Sequence, residues 1–233
     1  MLGQVQPTRY DLYFSVFGIP VRVVPTFWLA GVLTGWNTID DPNLGPAFLF
    51  IWIACLFVSI LIHELGHAFA ARAFGWPPQV FLYHFGGLAA YAPYGGHTTG
   101  RSVFISFAGP GAGFILYGLV LAVEFALIQT RTPIGLIAFF TIIQLKWINL
   151  TWGLVNLLPV LPLDGGRICE SLCEHVRPRD GRDIAIKIAI ATSAVVAFFF
   201  FTHRDEYGLF PGLLFAMLCV QNVQDYQMQR GRW

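Results

Sequence analysis

"AFLFIWIACLFVSILIHELGHAFAAR", residues 47–72, decides the class of this chain. From Ala47 to Ile62 there is no charged residue, and a run of this kind near 20 residues long is what crossing a hydrocarbon core about 30 Å thick requires. The same run then places His63, Glu64 and His67 where a lipid-facing helix should carry nothing ionisable. An ionisable side chain at mid-membrane costs from about 2.5 kcal/mol upward, so three together call for a cavity, a partner or a metal.

The wider composition agrees with a membrane class. Of 233 residues, 56% are hydrophobic and 12% are charged, against about a quarter charged in soluble domains. Further apolar runs lie at 102–130, 134–158 and 184–202, with shorter ones at 23–36 and 208–220. Counting all of them predicts an all-α polytopic membrane protein with about six transmembrane helices. No charged linker, low-complexity tract or long-period repeat divides the chain, so residues 1–233 read as a single membrane domain with no PDZ or other soluble accessory domain.

Two segments depart from helix. "YDLYFSVFGIPVRVVPTF", residues 10–27, alternates around a Gly-Ile-Pro turn signal and predicts a short N-terminal β-hairpin. "GWPPQVFLYHFGGLAAYAPYGG", residues 75–96, is apolar but too rich in glycine and proline for a helix. It predicts a membrane-associated irregular or β segment between helices 2 and 3, shielded by protein because bare backbone at membrane depth needs partners.

A net charge of +1 gives no footing for nucleic acid, but the placement of charge orients the chain. With six spans, Arg9, Arg22, Arg72, Arg101, Arg167, Arg177, Arg179, Arg182, Lys187, Arg230 and Arg232 share one side; Arg131 and Arg204 take the other. The positive-inside rule makes the first side, with both termini, cytoplasmic and turns the Asp40-Asp41 loop outward. The polar start lacks a cleavable signal pattern, so the first span is expected to stay. The four cysteines form no CxxC pair, and no disulfide is expected of them.

On a helix, His63 and His67 lie about 40° apart and Glu64 about 60° from His67. In this H-E-x-x-H pattern two imidazoles bind one zinc and the glutamate between them reaches the activated water as general base. A hydrolytic zinc takes three protein ligands, so a third must come from elsewhere. Asp164, His84, His97, Glu124 and His175 are the candidates. Asp164 stands out for its surroundings, "NLLPVLPLDGGR", residues 156–167, where two prolines break the fourth span and Gly165-Gly166 free the backbone. Topology favours it too: His63 lies roughly 14 Å from the cytoplasmic end of its helix, the side to which the fourth span returns.

H-E-L-G-H in an early span, followed nearly a hundred residues later by N-x-x-P-x-x-P-L-D-G-G, resembles the site-2 protease family of intramembrane zinc metalloproteases. "FGIPVRVVPTFWLA", "FGGLAAY" at 85–91 and "FAGPGAGF" at 107–114 resemble that family's framework as well. The resemblance implies a Zn2+ held by His63, His67 and Asp164, Glu64 as catalytic base, Asn156 in the substrate cleft, and cleavage of a membrane protein's transmembrane segment within the lipid bilayer of the cell membrane. Gly86 and Gly87 are read as substrate-binding because they lie in the glycine-rich apolar segment whose strand edge, around 80–92, is expected to bind an unwound substrate by strand addition. Leu157 and Gly113 depart from residues common in the family, but neither is a proposed ligand.

A zinc-binding transporter or a non-catalytic membrane chaperone on the same fold is the competing expectation. The presence of Glu64, which zinc binding alone does not need, argues against inactivity, and spans five and six offer almost none of the polar residues that a transporter's through-path needs. Among the remaining marked residues, Glu124 and Lys146 have estimated depths of about 10 Å and 18 Å, which do not match closely; Lys146 is expected to pair or snorkel within the bundle. Cys169 and Cys173 share a helical face but are not expected to bind metal, and His84 and His97 are expected to be interfacial.

Overall fold

The computed structural model of the chain describes residues 7–40, 44–84, 86–93, 95–96 and 98–230. Asp41, Phe85, His97, Arg232 and the first six residues, on which parts of the sequence reading rest, lie outside the described residues. The chain divides into two compact units, Met1–Gly95 with Ala108–Gly153, and Gly96–Phe107 with Leu154–Trp233.

The first unit opens with the expected hairpin, β1 (Leu12–Val16) and β2 (Ile19–Val23), paired antiparallel from Leu12↔Val23 to Val16↔Ile19. Its two-residue loop has positive φ at both Phe17 (50°) and Gly18 (76°), the backbone that matches strand twist in such turns. The chain continues into α1 (Pro25–Thr34), a 3-10 turn at Trp36–Asp40 and α2 (Gly45–Ala73), each helix admitting its proline in the first turn where no amide donor is needed. β3 (Pro78–Tyr83) then pairs parallel with β2, Val21 opposite Val80, and β4 (Gly86–Tyr91) pairs antiparallel with β3.

The hairpin and the glycine-rich segment are therefore one four-stranded sheet in the order β1-β2-β3-β4. Sequence reading kept them apart because a parallel pair needs a long crossover, and local pattern cannot show where α1 and α2 return the chain. Ile19, Val21, Val23, Val80 and Leu82 form a core with Phe27 and with Ile60, Leu65 and Ala68 of α2. Arg22 is buried as well, and its guanidinium holds the Asp11 carboxylate at 2.6 and 2.7 Å. Hydrogen bonds from Thr8, then the arginine, bring the Asp11 carboxyl down to about 2. Its contribution to stability is complete above the ordinary carboxylate range and is lost as pH falls through about 2.

Among the described residues, four helices are long and apolar enough to cross a membrane: α2, α3 (Thr99–Gln129), α4 (Leu136–Asn156) and α6 (Gly181–Thr202). The two shorter apolar runs also become helices, which differ from those four in length or polarity. α1 has ten residues and rises about 15 Å, half the hydrocarbon thickness. α8 (Phe210–Arg230) has 21, but Gln221, Asn222, Gln224, Asp225, Gln227 and Gln229 make its second half polar.

Lys146 on α4 bonds both oxygens of Glu124 on α3, at 2.6 and 2.8 Å, so the depth mismatch inferred from sequence does not keep them apart. Counting rise per residue ignores the reach of two long side chains that lean toward each other. Lys146→Met alone leaves a carboxylate at membrane depth. It is expected to lower the thermal midpoint in detergent more than the double replacement Lys146→Met with Glu124→Leu, a comparison that a scan of the three proteins makes directly.

In the second unit, a turn after Asn156 leads to α5 (Asp164–Val176), then α6, the single turn α7 (Arg204–Tyr207) and α8. Val160 in the turn is fully buried and packs with Ala197, Phe215 and Leu218 of the later helices. Gly165 and Gly166 sit against the Leu157, Leu158 and Val160 carbonyls, where any Cβ would collide. Proline stops the fourth helix, and glycine lets the next begin within van der Waals contact of the turn it leaves.

Candidate metal centre

His63 and His67 occupy successive turns of α2 and face the same way. Their Nε2 atoms are 3.2 Å apart, with ring planes 79° apart. Two nitrogens bound at about 2.0–2.1 Å to one tetrahedral ion would lie about 3.3 Å from each other, so the pair already has the bite of a zinc chelate. His63, Glu64 and His67 are 3%, 5% and 7% exposed, which places the donors and the carboxylate out of bulk water.

Small residues on neighbouring backbones make this burial possible. Gly87 of β4 lies against the Glu64 carboxylate, Gly66 of α2 against the Ala108 carbonyl of α3, and Gly109 of α3 against Nε2 of His67; a Cβ at any of the three would collide. One turn before His63, Ser59 accepts a 2.9 Å hydrogen bond from the Asn149 amide of α4, which also donates to the Leu145 carbonyl. This tie between buried polar groups fixes the rotation of α2 against α4, and hence the direction in which the histidines point.

Gly109→Ala drives a methyl into the His67 ring and is expected to cost about 1–3 kcal/mol of stability with loss of metal retention. Gly118→Ala on the same helix meets open space and is expected to be neutral or slightly stabilising. Thermal denaturation with metal analysis of both variants checks the contrast.

Asp164 is the first residue of α5, and its negative charge suits the positive end of a helix dipole. His63 and His67 belong to the first unit and Asp164 to the second. Two imidazoles and a carboxylate are a donor set that hydrolytic zinc accepts. The other third-ligand candidates have partners of their own: His84 contacts Thr26 at 3.2 Å, His175 contacts Thr99 at 3.5 Å, and Glu124 is held by Lys146. His97 is outside the described residues. Cys169 and Cys173 do face each other, Sγ atoms 4.0 Å apart, and burial, with Cys173 beside it, pushes the Cys169 thiol up to about 11.

Asn156 ends α4. Gly86, with φ of 118°, lies against the Trp152 ring, and Gly87 against Glu64, so packing alone already requires glycine at both positions read as substrate contacts. Three residues that shape this site carried no role in the sequence reading. Ser59 is four residues before His63, Asn149 is an amide inside an apolar span, and Gly109 lies in a stretch quoted only as framework. The first two spacings were available as signals.

A family model described as peptidase family M50 matches residues 51–133 and 128–200, which include both histidines, Glu64 and Asp164. The chain belongs to peptidase family M50. Its M50 relatives include a zinc metalloprotease of Methanocaldococcus jannaschii, 33% identical over 162 residues that make up 68% of this chain and 44% of the relative. Stage IV sporulation protein FB of Bacillus subtilis is 35% identical over 155 residues, 64% of this chain and 46% of that protein. The M50 chain thus spans less than half the length of these two relatives. Among solved structures, the site-2 protease from Methanocaldococcus jannaschii matches with a TM-score of 0.65 at 24% identity, covering 93% of this chain and 95% of that one; this likeness is one of fold. The name of the first relative gives zinc as that protein's metal.

Proposed function

We propose that this chain is a zinc-dependent intramembrane endopeptidase that hydrolyses a peptide bond in or near a transmembrane segment of membrane-protein substrates. The observation that carries the proposal is the buried His63–His67 pair, with Glu64 between them, on a helix apolar enough to cross the membrane. M50 membership supports the same reading.

In this proposal His63, His67 and Asp164 hold the ion, which when bound supplies Lewis-acid polarisation of the scissile carbonyl and acidified water at neutral pH. Glu64 takes the proton from the attacking water at its carboxylate and delivers it to the departing amide nitrogen. Its burial strengthens each of these interactions, because the effective dielectric there is low. β4 is an edge strand of the sheet, and its outer backbone groups are suited to pair with a substrate whose helix has unwound, past Gly86, Gly87 and Asn156.

The finer topology belongs to the proposal as well: six membrane passes counting α1 and α8, both termini in the cytoplasm, residence in the cell membrane, and one intramembrane protease domain over residues 1–233. Eleven of the fourteen lysines and arginines on one side support that orientation.

The test is zinc analysis of the purified chain together with cleavage of single-span membrane proteins in reconstituted bilayers. Zinc-dependent cleavage within the span supports the proposal. Zinc flux across vesicles without cleavage would favour a transporter, and bound zinc with neither activity a non-catalytic chaperone.

A further inference from the structure

Asn222 lies where α8 turns polar, yet unlike a solvated polar residue it is only 1% exposed. Its Nδ2 donates to two carbonyls, the local Leu218 at 2.7 Å and Leu161 in the proline turn at 2.8 Å. Two acceptors facing one group require the NH2, so the orientation of the amide is determined by its partners. The Oδ1 atom is buried with no hydrogen-bond partner among the described residues. Leaving an acceptor dry and unpaired is destabilising, and an apolar residue of similar volume would remove that cost. The amide thus satisfies the Leu161 carbonyl while its own oxygen stays buried.

The turn that Asn222 grips runs from Leu157 to Leu163 and contains Pro159 and Pro162, neither of which has an amide hydrogen to donate. Inside the turn, Val160 bonds the Leu158 carbonyl at 2.7 Å and Leu163 bonds the Val160 carbonyl at 2.8 Å; the Leu161 carbonyl receives its hydrogen bond from a side chain 61 residues away. That carbonyl is three residues before Asp164, and the intervening backbone leads straight into α5.

We propose that Asn222 is a positioning residue for the metal centre: by holding the Leu161 carbonyl, it sets where α5 begins and so where the Asp164 carboxylate is presented. The inference rests on the reading of Asp164 as third ligand. A hydrogen bond that orients a ligand from outside the coordination shell typically affects metal affinity by about 10–100-fold.

The test uses the full-length chain in detergent, with zinc affinity measured by competition against a chelator, thermal midpoint measured without metal, and hydrogen exchange followed at the amides of Leu163 to Gly166. Asn222→Leu is expected to speed exchange at those amides and weaken zinc by about 10–100-fold, with the metal-free midpoint reporting that the chain still folds. Asn222→Asp has the same shape without the donor, and it must weaken zinc at least as much; it also carries the test if the leucine variant fails to accumulate. Wild-type zinc affinity and unchanged exchange in these variants, alongside zinc loss in Asp164→Ala, would overturn the role of Asn222 alone. Full zinc affinity in Asp164→Ala would instead overturn the ligand reading, while the exchange measurement still reports whether the amide holds the turn.

Discussion

Glu64→Gln is expected to bind zinc as the intact chain does and to cleave a transmembrane substrate about 10²–10⁴-fold more slowly, the usual contribution of a positioned general acid-base group. Glutamine keeps the volume and the place against Gly87, so the sheet and α2 should stay packed, but its amide cannot accept the proton that hydrolysis must move. Zinc content and cleavage measured on the same preparation separate the two properties. Full cleavage by the glutamine variant would remove Glu64 from the mechanism, whereas loss of zinc together with activity would assign the residue a structural role in the centre.

Asp164→Ala is expected to act on the metal first. Removing one of three ligands should weaken zinc by more than the 10–100-fold typical of losing an outer-shell partner, and cleavage should fall with occupancy. Because a carboxylate must be deprotonated to bind metal, the intact site should also release zinc as pH falls, and the alanine variant should show a changed acid profile. Chelator competition across a pH series provides the measurement. An alanine variant that held zinc as tightly as the intact chain would exclude Asp164 from the ligand set.

Much of the site was legible before any coordinates. The H-E-x-x-H spacing places both imidazoles on one helix face whatever the surroundings, because helical periodicity is local, and their Nε2 atoms are 3.2 Å apart. Asp164 could be singled out because proline and glycine act on the backbone at the positions where they occur. Less was legible where side-chain reach or distant pairing decides. Lys146 and Glu124 were judged mismatched in depth, and they form an ion pair. Gly109 was visible as a residue, but its need to make room for His67 depends on a helix more than thirty residues away in sequence.

The sequence by itself determined the membrane class, the four long helices, the N-terminal hairpin and the two histidines on one helix face with Glu64 between them, since each follows from hydropathy, periodicity or the chemistry of adjacent residues. Only the tertiary structure decided that the hairpin joins β3 and β4 in one sheet, that Gly87 and Gly109 admit other backbones to the buried glutamate and histidine, and that Asn222 grips the turn before Asp164. Those contacts link residues tens of positions apart. They depend on where the crossover and the later helices return the chain, which no local pattern of residues specifies.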